Sequence, residues 1–266
     1  MKVDVTDLKY QVSKDFAPDK ESTWSYPPER DGWPLAHNAV RGEIADLKAG
    51  ITKMISVAPN GCPEWAVTAL KLAWSTHYDH IHAHHSNEDD LFFPVLSERI
   101  KMDAKLSSAH ETILHLMKEI SGMVEKLSPG DTLTALLTSV EEYEKELLPH
   151  LIEEEECGLL LMRAYFTYGE IAPLVQKIIA NGPIVEIGSF IYYMTPDKFR
   201  NEFMKEQGIP FFVWYIDLKG SFNTFIDKFV GPIEQLKEGK EATPSGFFAY
   251  LGSWVKYVRS CFKLST

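Results

Sequence analysis

The sequence predicts an all-α protein: an up-down-up-down four-helix bundle with additional C-terminal helices. Three observations carry this. Apolar residues recur every three to four positions along four long segments, the period of a helix with one buried face. Ala58-Pro59-Asn60-Gly61 and Ser128-Pro129-Gly130-Asp131 are short turns, which leave neighbouring helices antiparallel. Histidines and glutamates interrupt the apolar stripes at matching positions in the two halves of the bundle.

The elements follow in order. Residues 1–34 read as an N-terminal arm, rich in Pro, Asp and Lys, with Trp24, Tyr26 and Trp33 placed to clip it to a body. The bundle is expected over 35–170. Helix 1 runs from Leu35 to Val57, with His37, Val40, Ile44, Leu47, Ile51 and Met54 or Ile55 inward. Helix 2 runs from Glu64 to about Arg99, with Leu70, His77, His80 or Ile81, His84, Glu88, Leu91 and Val95 inward; Pro94 should end or bend it. Helix 3 spans about 103–127, with Leu106, His110, Ile113 or Leu114, Met117, Ile120 and Val124 inward. Helix 4 spans about 132–166, through Leu136, Val140, Tyr143, Leu147, His150, Glu154 and Leu161, and Pro149 predicts a kink one turn before His150 and Glu154.

Accessory helices are expected over 171–236, broken at Gly182-Pro183, Thr195-Pro196, Gly208-Ile209-Pro210 and Gly231-Pro232. Residues 237–266 read as a linker followed by an amphipathic helix from Gly246 to Phe262. That helix has Phe247, Phe248, Tyr250, Leu251, Trp254, Val255, Tyr257, Val258, Cys261 and Phe262 on one half and Lys256, Arg259 and Lys263 on the other. Packing on the body is the plain expectation for such a face. A membrane surface or a protein partner bound through 246–263 is the alternative.

Composition limits the function classes. A net charge of −11 argues against nucleic-acid binding. Three scattered cysteines make neither a disulfide framework nor a zinc module, which fits a reducing compartment. The charged N-terminus is unlike a signal peptide, and no apolar run reaches membrane-span length, so the expected location is intracellular and cytoplasmic.

The chemistry lies in two repeated pairs. His84 and Glu88 stand one helical turn apart, on one face and roughly 6 Å apart along the axis. His150 and Glu154 repeat the arrangement on helix 4, and an isolated inward histidine precedes each pair, His37 and His110. A lone inward histidine is most often a hydrogen-bonded core residue. Six such residues in one register point instead to a metal site in a bundle. The donors are nitrogen and oxygen with no thiolate, which favours iron or manganese over structural zinc. Two carboxylates on facing helices can bridge a metal pair, leaving open positions for dioxygen, peroxide or a related small ligand. His77 and His80 share the inner face, and His80 is a possible ligand or a residue orienting one. His82 and His85 are expected to point outward. Of Glu153 to Glu156 only Glu154 shares a face with His150, and the others are expected at the surface. Arg41 could pair with a carboxylate near the site or at the surface.

The segments AHNAVRGEIADL, HHSNEDDLFFPVL, SAHETILHL and PHLIEEEE resemble the haemerythrin or HHE cation-binding family, closest to the haemerythrin-like domains of plant iron-sensing ubiquitin ligases. The resemblance covers roughly 35–170. It implies a non-haem centre of two iron ions with an oxo or hydroxo bridge, with Mn or Zn as substitutes. It implies His37, His84, His110 and His150 as terminal ligands and Glu88 and Glu154 as bridging carboxylates. The second helix 3 histidine of oxygen-carrying members is Leu114 here, and His115 should point elsewhere. The replacement candidates are Glu111, His80, Tyr143 and Glu146. The expected function is iron or oxygen sensing, binding or handling. A diiron oxidase or a peroxide- or NO-consuming enzyme is an alternative, as is a regulatory adaptor acting through the C-terminal helices. Three cysteines cannot build the zinc modules of the ubiquitin ligases.

Overall fold

The computed structural model of the chain describes residues 3–4, 20–195, 197–206, 209–210, 212–213 and 218–241. The amphipathic segment 246–262, and with it any partner surface over 246–263, lies outside the described residues.

The bundle is all-α, in the order the periodicity predicts. Helix α1 is Gly32–Val57 and α2 is Glu64–Asn87. A π-helical turn, Glu88–Phe92, and a short α3, Phe93–Leu96, prolong α2. Helix α4 is Ala104–Lys126, and α5 is Thr134–Glu153. A second π turn, Glu154–Leu159, and α6, Leu160–Tyr165, prolong α5. Helix α1 starts earlier than its apolar period suggests because the Asp31 side chain accepts from the Trp33 N–H and caps it. Asp103 caps α4 in the same way, through Lys105 N–H. Val3–Asp4 pair in parallel with Ile100–Lys101.

The predicted stripes are the core: Val40, Ile44, Leu47, Ile51, Met54, Leu70, Ile81, Ile113, Met117, Ile120, Leu136, Val140, Tyr143 and Leu147 are all buried in one cluster. The stripe of α2 is displaced after Glu88. Phe92, Phe93 and Leu96 are buried, while Leu91 and Val95 are only partly so. A π turn adds one residue to a helical turn, and every later side chain rotates by one position. The same turn accommodates Pro94, whose ring would clash with the carbonyl one α-turn back. Phe93 N–H reaches instead to Glu88 O, one residue further. In α5 the helix is continuous through Pro149, and α geometry gives way at Glu154 rather than one turn before His150.

At the end of the bundle away from His37, the two turns lock together. Cys62 N–H donates to Asp131 O and Gly130 N–H to Cys62 O. Asp131 accepts from Ser128 N–H and so closes its own turn. A side chain on Gly61, at φ 149°, would meet Gly130 O at 2.6 Å.

After the bundle come α7, Tyr168–Asn181; α8, Ile184–Tyr193; α9, Asp197–Glu206; α10, Lys219–Phe225; and α11, Gly231–Glu238. A third π turn, Ile226–Val230, carries the chain from α10 into α11. The expected break at Gly231-Pro232 is therefore absent, and Gly231 N–H reaches to Ile226 O as Phe93 does to Glu88. Helix α8 packs on α1 and α10, and α11 packs on α1 and α2. Phe222, Phe225, Phe229, Ile233 and Leu236 complete the same core as the bundle. Among the described residues no single helix is long and apolar enough to cross a membrane.

Candidate metal centre

The N-terminus of α1, the C-terminus of α2, the N-terminus of α4 and the C-terminus of α5 meet at one end of the bundle. They bring together all six predicted residues. His37, His84, Glu88, His110, His150 and Glu154 are each between 0% and 6% exposed. Both glutamates sit at the first residue of a π turn, so the two halves of the site are built alike.

The carboxylates face two ways. Glu88 Oε1 lies 3.5 Å from His84 Nε2 and 3.8 Å from His37 Nε2, while its Oε2 lies 3.5 Å from His110 Nε2. Glu154 Oε2 lies 3.4 Å from His37 Nε2, while its Oε1 lies 3.3 Å from His110 Nε2 and 3.2 Å from His150 Nε2. Most of these separations are long for hydrogen bonds. They match the roughly 3.0–3.5 Å between neighbouring ligands that each stand ~2.1 Å from one cation. Nε2 of His37, His84, His85 and His150, Glu88 Oε2 and Glu154 Oε2 are buried without a hydrogen-bond partner. Nitrogen and oxygen atoms converging in this way fit a cation.

His85 corrects the sequence reading, which turned it toward solvent. It is 6% exposed, stacks on His110 with ring centroids 4.2 Å apart, and joins His110 and His150 in a group able to hold one ion. Helix α2 has neighbours on two sides, so consecutive residues enter two different interfaces. His84 meets His37 of α1, with centroids 5.2 Å apart, and His85 meets α4 and α5. The groups able to hold an ion are His37, His84 and Glu88; His85, His110 and His150; and Glu88, His110 and Glu154. His85 thus joins the residues that could supply the ligand Leu114 does not. Of the four replacements considered, Glu111 and Glu146 are exposed, and Tyr143 and His80 are hydrogen-bonded elsewhere. His115 is exposed and His82 stacks on Tyr78 at the surface.

Sequence periodicity also passes over the residues that follow Glu88 and Glu154. Glu155 was expected at the surface. It accepts from His37 Nδ1 at 2.9 Å and from Arg41 at 2.7 Å. Asp89, following Glu88, accepts from His110 Nδ1 at 3.0 Å and from the Ser107 hydroxyl at 2.9 Å. Each therefore fixes the tautomer of a histidine on a neighbouring helix and leaves its Nε2 facing the centre. Trp33, assigned to the arm, lies in α1 and donates its indole N–H to Glu88 Oε1 at 2.7 Å. Its ring lies against Gly158 in the other π turn, where a Cβ would stand 2.7 Å from the ring.

Charge is distributed unevenly over the set. Burial pushes His37 and His110 down, but their carboxylate partners prevail and raise both to about 9. Burial lowers His84 to about 4, and burial with the neighbouring imidazoles His110 and His84 holds His85 well below its usual range. Burial would raise Glu154, yet the hydrogen bond from His110 and the close imidazoles of His150 and His37 keep it strongly acidic.

A second buried polar cluster adjoins the centre. Glu43 of α1, 0% exposed, accepts from His77 Nδ1 at 2.6 Å, from His80 Nδ1 at 2.7 Å and from the Ser189 hydroxyl of α8. His77 Nε2 accepts from the Tyr143 hydroxyl at 3.0 Å. Nothing in the apolar period of α1 singles out Glu43, because a glutamate on a helix is most often solvated.

Residues 31–156 match the family model described as the Hemerythrin HHE cation binding domain. No curated protein and no solved structure matches the chain.

Proposed function

Residues 31–156 of this chain are a haemerythrin HHE cation-binding domain, and from that premise we propose that the protein holds a non-haem diiron centre with which it binds or senses iron and dioxygen. The observation that carries the reading is the orientation of Glu88 and Glu154. Each turns one oxygen toward the His37 side of the site and the other toward His110, the disposition that lets a carboxylate span two cations. His37 and His84 would hold one ion, and His85, His110 and His150 the other.

Iron, when bound, supplies one-electron redox chemistry and an affinity for dioxygen. The chain supplies the rest. Asp89 and Glu155 hold the Nδ1 protons of His110 and His37, and Trp33 pins Glu88 through Oε1. Burial keeps bulk water and large substrates away from the ligand atoms. Two imidazoles on one side against three on the other support an open position beside His37 and His84, where a small ligand such as dioxygen would enter. Manganese and zinc accept the same donors, so metal analysis is part of the test.

Protein loaded anaerobically with ferrous iron should carry two ions per chain. Admitting air should bring up the absorption of oxo-bridged ferric ions. The double variant His84→Ala/His150→Ala should lose both the iron and the bands. Iron binding that survives the double variant would overturn the assignment of the site.

A further inference from the structure

We infer that Tyr143 is a one-electron donor to the centre, with His77, backed by Glu43, arranged to take its proton. The inference rests on the iron reading above and adds a redox role for a residue that touches no proposed ligand.

Tyr143 is 0% exposed and stands in the core of α5, two turns before His150, about 10 Å along the helix. Its hydroxyl has a specific partner. It donates to His77 Nε2 at 3.0 Å, and His77 Nδ1–H donates to Glu43 Oε2 at 2.6 Å. Glu43 is held as a carboxylate by His80 and Ser189 as well. Packing alone would be served by phenylalanine, whereas a buried hydroxyl requires a partner. Here that partner is an imidazole backed by a carboxylate, the arrangement that accepts a proton. Burial, with the charge of Glu43 adding to it, holds the phenol far above its usual pKa. Tyr143 therefore cannot be oxidised by first losing its proton to solvent. Electron and proton must leave together, the proton to His77. The other imidazole on Glu43, His80, has its ring 6.4 Å from that of His84, so the cluster reaches to the edge of the centre.

Dioxygen takes four electrons and four solvent protons to become two waters. The ferrous pair gives two electrons, a ferrous ion from solution gives one, and Tyr143 gives the fourth. The phenolic O–H bond breaks and its proton forms an N–H bond at His77 Nε2, leaving an imidazolium paired through Nδ1–H with the Glu43 carboxylate. Tyr143 is left as a neutral phenoxyl radical.

The experiment mixes full-length protein, loaded anaerobically with a slight excess of ferrous iron, with oxygenated buffer, and freezes it at intervals for electron paramagnetic resonance. A radical signal is expected whose hyperfine splitting collapses in protein made with ring-deuterated tyrosine. In Tyr143→Phe the signal should fall to background while iron content and ferric absorption stay as in the parent. Should that variant fail to fold, 3-fluorotyrosine placed at position 143 keeps ring and hydroxyl and must change the splitting. Ferric bands without a radical, or a radical that persists in Tyr143→Phe or responds only to deuterated tryptophan, overturn the inference and leave the iron reading standing. Absence of bound iron and of ferric bands defeats the iron reading itself.

Discussion

At the scale of single residues, the centre depends on pairs of consecutive side chains. His84 and His85 serve the two sides of the site, Glu88 is followed by Asp89, and Glu154 by Glu155. His85→Ala should leave the His37 side intact and lower bound metal toward one ion per chain by elemental analysis, whereas His82→Ala, at the surface, should change nothing. Asp89→Ala and Glu155→Ala each remove the acceptor that holds an imidazole in one tautomer. Each should weaken metal affinity by about 10–100-fold in a competition titration. An unchanged affinity would reduce these carboxylates to surface groups that happen to lie near a ligand.

At the scale of elements, the π turns do the positioning. They open at Glu88 and at Glu154, and Trp33 touches both, by a hydrogen bond to Glu88 and by its ring on Gly158. Gly158→Ala would drive a methyl group into the indole. It should cost about 1–3 kcal/mol in denaturant midpoints and disturb the hydrogen bond to Glu88. The four helices, their inner stripes as far as Glu88 and the burial of the six predicted residues could be read from the sequence, because a 3.6-residue period reports burial directly. The π turns could not, since no residue type marks where a turn gains a residue. His85 was lost with them: a wheel with one inner face cannot show a helix wedged between two neighbours. Glu43 escaped for a different reason, because its partners lie on α2 and α8, far away in the chain.

At the scale of the molecule, Glu43 ties α1 to α2 and, through Ser189, to α8. Burial alone would raise its carboxyl, but the charge of His80 and the hydrogen bonds of both histidines bring it down from 4.5 to about 2. A carboxyl more acidic folded than unfolded contributes stability above pH 4.5 that is lost as the pH falls toward 2. That contribution is on the order of 3 kcal/mol. Urea unfolding of the metal-free protein should therefore weaken between pH 5 and pH 2.5 more steeply in the parent than in Glu43→Gln, and parallel curves would remove Glu43 from the account. Metal acts beside this cluster, where α1, α2, α4 and α5 meet. Ions bound only by the folded state should raise the melting temperature with concentration, by about 2.7 kcal/mol of stability at a hundredfold excess over Kd.

The contact of Trp33 with Glu88 also makes the centre visible from outside. An indole whose N–H rests on a carboxylate of the site, and whose ring centroid lies 6.0 Å from that of His37, is close enough for a paramagnetic or strongly absorbing ion to quench its emission. The chain has six tryptophans, so the change would be a fraction of the total light. It would be the fraction missing in Trp33→Phe, and a stopped-flow fluorimeter could then time the arrival of each ion from a glow the protein carries of its own.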